Sequence, residues 1–75
     1  MLEKIRDILL DVLDRDDLDL TLESRPDQVE EWDSMAQIQI LVALENEFGI
    51  KFTLEESQGI ACVGDIVEVV ERKMG

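Results

Sequence analysis

Ser34 is the hydroxyl best placed to do chemistry, because it follows Asp33 at the head of a run, Met35 to Phe48, that contains neither Gly nor Pro. Two arrangements of this start fit the residues. Ser34 can be the N-cap of a helix, with Gln37 completing a capping box, or Asp33 can cap and leave Ser34 in the first turn. Either presents the hydroxyl at the positive end of the helix, where an anion would meet free backbone N–H groups. Capping alone would also account for a serine here. As a catalytic nucleophile Ser34 is unequipped: the chain has no His, and Trp32-Asp33-Ser34-Met35-Ala36 lacks the glycines of a nucleophile elbow. Asp33 is too weak a base for the task, so no catalytic residue is assigned. No metal ligand is assigned either. A single Cys and no His cannot assemble a zinc set. A calcium loop begun at Asp14 puts Asp19 where the tight turn needs Gly and Arg25 where the bidentate Glu belongs. The acids Asp14, Asp16, Asp17 and Asp19 therefore read as a solvated segment, and Cys62 as a small, partly buried apolar residue.

The stretch Glu31–Phe48 that holds Ser34 reads as a helix of about four turns, with a polar start at Asp33-Ser34 and a stop at Gly49. Its apolar pattern is doubled. Counting about 100° per residue from Met35, the side chains of Ile40, Leu41, Leu44 and Phe48 share one sector, while Met35, Ile38 and Val42 share another that begins beside Ser34. The first is a core face. The second is either covered by neighbours, as in a central bundle helix, or exposed as a docking stripe; the docking stripe is the expectation carried forward.

The other elements must hold this helix in place. Leu2, Ile5, Ile8, Leu9, Val12 and Leu13 predict an amphipathic helix from Leu2 to Asp14. From Arg15 to Glu31 the periodicity lapses into a long connection, in which Leu18, Leu20, Leu22 and Val29 are expected to lie across the bundle and bury in part. Trp32 is expected as a core plug that packs back on the first turns of the central helix. Beyond Gly49, Ile50 and Phe52 should insert from an extended turn. Thr53 to Glu56 reads as a capping box opening a short helix that closes near Gly59. Val63, Ile66, Val67, Val70 and Met74 predict a last helix, with Arg72 and Lys73 suited to its C-terminal dipole. The fold class is all-α, a four-helix bundle with a long loop after helix 1 and a short third helix.

With 75 residues the chain is expected to be a single domain, residues 1–75, and a monomer with a small core. A net charge of −12 disfavours nucleic acid and anionic membrane and favours partners with basic surfaces. The segment 27–56 holds eight acids against Lys51 alone. One Cys forms no internal disulfide, and no N-terminal apolar run resembles a signal peptide or membrane span, so a cytoplasmic protein without membrane insertion is expected.

Asp33-Ser34-Met35 at a helix start, followed by Leu41-Val42-Ala43-Leu44-Glu45-Asn46-Glu47-Phe48-Gly49-Ile50, resembles the signature of the acyl carrier proteins and their peptidyl and aryl carrier relatives. The match extends to length, order of elements and acidity. The resemblance implies that Ser34 is the attachment point of 4′-phosphopantetheine, with Asp33 beside it, installed by a phosphopantetheinyl transferase from coenzyme A with magnesium. The arm's thiol would then carry acyl or aminoacyl groups as thioesters between loading and transferring enzymes, so that the protein itself is not an enzyme. Partner-facing candidates on this basis are Met35, Ile38, Gln39, Val42 and Glu45. Ile60 and Ala61 are candidates for lining an acyl pocket between the second and third helices. Gln39, Asn46 and Ala36 are neutral where fatty-acid carriers usually place partner-facing acids, and Trp32 replaces a small residue; both favour a specialised pathway over housekeeping fatty-acid synthesis. The alternative reading is an unmodified acidic helical adaptor that only binds partners.

Overall fold

Burial on one face of each of three longer helices organises the chain, and the computed structural model describes residues 2–75. Helix α1 spans Leu2–Leu13, α2 Ser34–Phe48, α3 Leu54–Gln58 and α4 Val63–Met74. No strand is present among the described residues. Ile5, Leu9 and Leu13 of α1, Ile40 and Leu44 of α2, and Val63, Ile66 and Val70 of α4 meet in one core, each set repeating at the three- and four-residue spacing that lines one face of a helix. Leu2, Ile8, Phe48, Ile50, Phe52 and Ile60 pack half-buried around them. Met74, grouped by spacing with the apolar face of α4, is exposed, because the helix runs past the end of the core there.

Each helix stops where its backbone is given another partner. Asp14, predicted as the last residue of α1, lies outside it with φ 56°. The Arg15 N–H donates to Leu10 O and the Asp14 N–H to Asp11 O, the paired pattern that closes a helix on a left-handed residue. Asp tolerates that conformation through its short polar side chain. Gly49 closes α2 in the same left-handed region, φ 66°, with its own N–H and that of Ile50 both donating to Glu45 O. Thr53 caps α3 through the expected box with Glu56.

The long connection is fixed at both ends and in the middle. The Arg15 guanidinium donates to both carboxylate oxygens of Asp17 and both of Glu31, at 2.8–3.2 Å. This ties the loop's first residues to the residue before Trp32. The arrangement raises the Arg15 pKa and lowers that of Asp17, each chiefly through their mutual hydrogen bond. Leu20 and Val29 are buried and Leu18 packs against the core, as expected of a loop lying across the bundle, whereas Leu22 is exposed. Cys62 at the start of α4 makes no side-chain cap. The first N–H groups of α4 bond the loop instead: Val63 N–H donates to Ser24 O at 2.9 Å and Gly64 N–H to Leu22 O at 2.7 Å. Loop carbonyls thus replace a capping side chain.

α3 buries no residue fully, and Glu56 joins it to α4. One carboxylate oxygen accepts from the Thr53 N–H and from Lys73 Nζ at 2.8 Å, and the other lies 3.8 Å from Arg72. The Lys73 ammonium first, then the Thr53 backbone, hold this carboxyl below the usual carboxylate range.

Two expectations follow. A Cβ on Gly64 would lie 2.9 Å from Leu22 O, so Gly64→Ala should destabilise by about 1–3 kcal/mol, as overpacking does. Gly59→Ala, whose Cβ meets its nearest atom at 3.4 Å, should be near neutral; denaturant unfolding of both variants decides, and equal midpoints would show that the close approach of the Leu22 carbonyl to α4 does not restrict position 64. For Glu56, a carboxyl depressed in the folded state stabilises above its unfolded pKa, and that contribution disappears as pH falls through the folded value. The Thr53 amide resonance should therefore titrate below about pH 4.3, the ordinary glutamate value, and Lys73→Gln should move its midpoint upward. An unchanged midpoint in Lys73→Gln would assign the shift to something other than the ion pair.

Candidate functional site

Three consecutive residues at the head of α2 point to three different environments. Trp32 is 3% exposed and inserts into the core, leaving its indole N–H in need of a partner. Gln37 supplies one, accepting from Nε1 at 2.6 Å. Asp33 is the N-cap, its Oδ1 accepting from the Ala36 N–H at 2.9 Å. Ser34 is the first helical residue and is exposed. Of the two arrangements compatible with the sequence, the chain adopts the Asp33 cap, because Gln37 is committed to the indole and not to a capping box.

Exposed Ser34 lines a groove of about 550 Å³ together with Pro26, Asp27, Trp32, Gln37, Ile38, Ser57 and Ile60. The Ala36 and Gln37 amides are taken by Asp33. Those of Ser34 and Met35 remain, at the positive end of the helix, for an anion linked through the serine. A second depression of about 330 Å³ adjoins the first at Ile38 and Ser57 and continues between α2 and α3 past Leu41, Val42, Phe52 and Leu54.

The second apolar stripe of α2 is exposed: Met35 by 68%, Ile38 by 63% and Val42 by 48%. Gln39 is exposed beside it. Glu45, grouped with these by sequence, is half-buried, and its Oε2 accepts from the Phe52 N–H at 2.8 Å, bracing the turn into α3. Ala36, taken as a neutral replacement for a partner-facing acid, is buried in the core and cannot meet a partner. Of the two pocket-lining candidates, Ile60 does line the groove. Ala61 is exposed and its N–H donates to Asp65 at 2.8 Å. Leu54, 72% exposed at the start of α3, was not marked by its spacing; the signal available was an apolar residue directly after a capping threonine, where acids are favoured.

Comparison with known proteins bears on this geometry. Residues 3–70 match the family model described as phosphopantetheine attachment site. The chain belongs to the acyl carrier proteins. It is 33% identical over 69 residues to an acyl carrier protein of Clostridium acetobutylicum, covering 92% of this chain and 90% of that one. Its fold is similar to that of a holo acyl carrier protein from Geobacter metallireducens, with TM-score 0.92, 34% identity and coverage of 97% of this chain and 84% of that one. A putative acyl carrier protein from Mycobacterium tuberculosis gives TM-score 0.87 at 27% identity, with 95% of each chain covered. The family's members are carriers, not catalysts, and hold 4′-phosphopantetheine covalently while interacting with synthesis enzymes. The residues present fit that group: an exposed serine, free amides at a helix start and an open groove that the serine lines. No helix among the described residues is long and apolar enough to cross a membrane.

The two faces of α2 should respond oppositely to the same substitution. Ile38→Gln and Val42→Gln should change stability by no more than about 0.5 kcal/mol, since they alter exposed positions. Leu44→Gln, at a fully buried position, should cost more than about 3 kcal/mol through lost packing and an unpaired amide. Thermal unfolding of the three variants checks this, and comparable losses in all three would show that the outer stripe is core.

Proposed function

We propose that Ser34 is the residue that receives 4′-phosphopantetheine, and that the carrier presents acyl or aminoacyl groups, as thioesters of the arm's thiol, to partner enzymes that dock on Met35, Ile38, Gln39 and Val42. The observation that carries this reading is the exposed Ser34 on the first residue of α2, lining an open groove and adjoined by an apolar stripe that the described residues leave largely exposed. Asp33 contributes by capping: its bond to Ala36 fixes the helix start, so that the hydroxyl of Ser34, the first helical residue, is not used as the cap. Nothing in the chain supplies a base to activate the hydroxyl, since His is absent, so the transfer from coenzyme A belongs to a separate transferase acting with magnesium. The carrier is proposed to have no turnover of its own and to work in the cytoplasm.

The acids around the site favour a transferase and acyl-handling enzymes with basic surfaces. Neutral Gln39 and Asn46 on the same helix support a dedicated partner set in a specialised pathway.

Incubation with coenzyme A, magnesium and a broad-specificity phosphopantetheinyl transferase should add one phosphopantetheine to the intact mass. Ser34→Ala should abolish the gain. Ser57→Ala, which removes the other hydroxyl lining the groove, should leave it unchanged. The rate below saturation should fall as salt is raised. No gain with several transferases would instead support an adaptor that works unmodified, and a gain that survives Ser34→Ala would move the attachment point.

A further inference from the structure

Gln37 uses one end of its side-chain amide and leaves the other unpaired. An indole N–H can donate but not accept, so the bond from Trp32 Nε1 at 2.6 Å fixes the Gln37 oxygen toward the indole. Nε2, which carries two N–H donors, is thereby turned away from it. Gln37 is half-buried, yet no side-chain nitrogen or oxygen among the described residues is both buried and unpaired. Nε2 therefore stays open to solvent, on a residue that lines the same groove as Ser34. The two residues lie three apart on α2, a spacing that makes side chains neighbours on one helix face. The residue that holds the amide is 3% exposed and part of the core. A donor whose orientation is already fixed in this way loses little freedom when it binds an acceptor.

The groove offers an anion on Ser34 no unpaired cation. Asp27 and Asp33 line it, and no Lys or Arg does. Arg25, two residues before Asp27 in the chain, is paired with that carboxylate at 3.6 Å, and Lys51 lies beyond the opposite end of α2. The neutral amide of Gln37 is the oriented side-chain donor that remains.

We propose that Gln37 is a binding residue for the arm: its Nε2 donates to a phosphate oxygen of the phosphodiester on Ser34, and Trp32 is the positioning residue that holds the amide in its donating orientation. The proposal rests on the reading of Ser34 as the attachment point and adds a side-chain contact that restricts how the arm leaves the serine.

The test compares apo and holo protein by NMR, with intact mass establishing that one phosphopantetheine has been added. On conversion to holo the Gln37 side-chain N–H pair should shift, and its exchange with water should slow about tenfold, as for one hydrogen bond to an ion. The pair of exposed Gln39 should do neither. Gln37→Glu keeps an oxygen for the indole and removes the donor, whereas Gln37→Met removes both and adds no charge. In both holo variants the phosphorus resonance should move from the parent's position toward that of the same protein unfolded in urea. In Gln37→Glu this should happen with the Trp32 indole N–H still protected from exchange. Trp32→Phe frees the amide to turn and should reduce the protection of Gln37 with the arm still attached; protection that persists there overturns the part given to Trp32. A phosphorus resonance in Gln37→Met that matches the parent's, with Gln37 exchange unchanged on conversion, overturns the contact and leaves attachment at Ser34 intact. A Gln37 pair that shifts while the phosphorus resonance is indifferent to both substitutions overturns the phosphate as acceptor. No gain in mass overturns the attachment reading, and the proposal with it.

Discussion

The hydrogen bond from the Ala36 amide to the Asp33 carboxylate sets the register on which the site depends. It makes Asp33 the last non-helical residue, and with the helix start fixed, a turn of about 100° per residue decides every later direction. Ile40 and Leu44 then face inward, and Met35, Ile38 and Val42 outward. Had Ser34 been the cap, its hydroxyl would have been occupied by a backbone amide and turned toward the helix axis. The buried Trp32 enforces the choice: its indole recruits Gln37, the residue that a serine-centred capping box would have needed.

A connection of this length would normally be a cost, since ordering each residue removes about 1–2 kcal/mol of backbone entropy. Here it is offset by the burial of Leu20 and Val29 and by the carbonyls of Leu22 and Ser24 that satisfy the start of α4. The same carbonyls explain how α4 tolerates Cys62 at a position where a hydroxyl or carboxylate would ordinarily cap. Arg15 then draws the two ends of the connection together just ahead of Trp32. The loop is thus a structural wall of the site, with Pro26 and Asp27 lining the groove that Ser34 also lines.

Most of the fold was legible because it rests on periodicity and local chemistry. The spacing of Ile5, Leu9 and Leu13, the Thr53–Glu56 box and the glycine at 49 each act within a few residues, and each appears where the sequence placed it. What escaped was set by partners distant in sequence. Glu45 looked like an exposed acid of a docking helix, and only the return of the chain at Phe52 gives it an internal partner. Ala36 and Ala61 could not be sorted by residue type, since a methyl group fits core and surface equally; the first is covered by the bundle and the second is not. Leu54 escaped for the opposite reason: a single apolar residue has no period, and its relation to Val42 exists only once α3 is folded back on α2.

The distribution of charge follows the same division between scaffold and site. Lys4 pairs with Glu47, Arg15 with Asp17 and Glu31, Arg25 with Asp27, and Arg72 and Lys73 with Glu56. Most of these pairs are exposed, and such pairs contribute little to stability. Their larger consequence is positional: they place the paired cations on loops and helix ends, and none on α2 itself. A net charge of −12 in a small chain opposes compaction through self-repulsion. The core must bear that opposition, and it does so with side chains wholly removed from solvent at Ile5, Leu9, Ile40, Leu44, Ile66, Val63 and Val70. The stability given up is recovered in encounter, because an uncompensated acidic field around an apolar stripe draws a basic partner into contact before any side chain is buried.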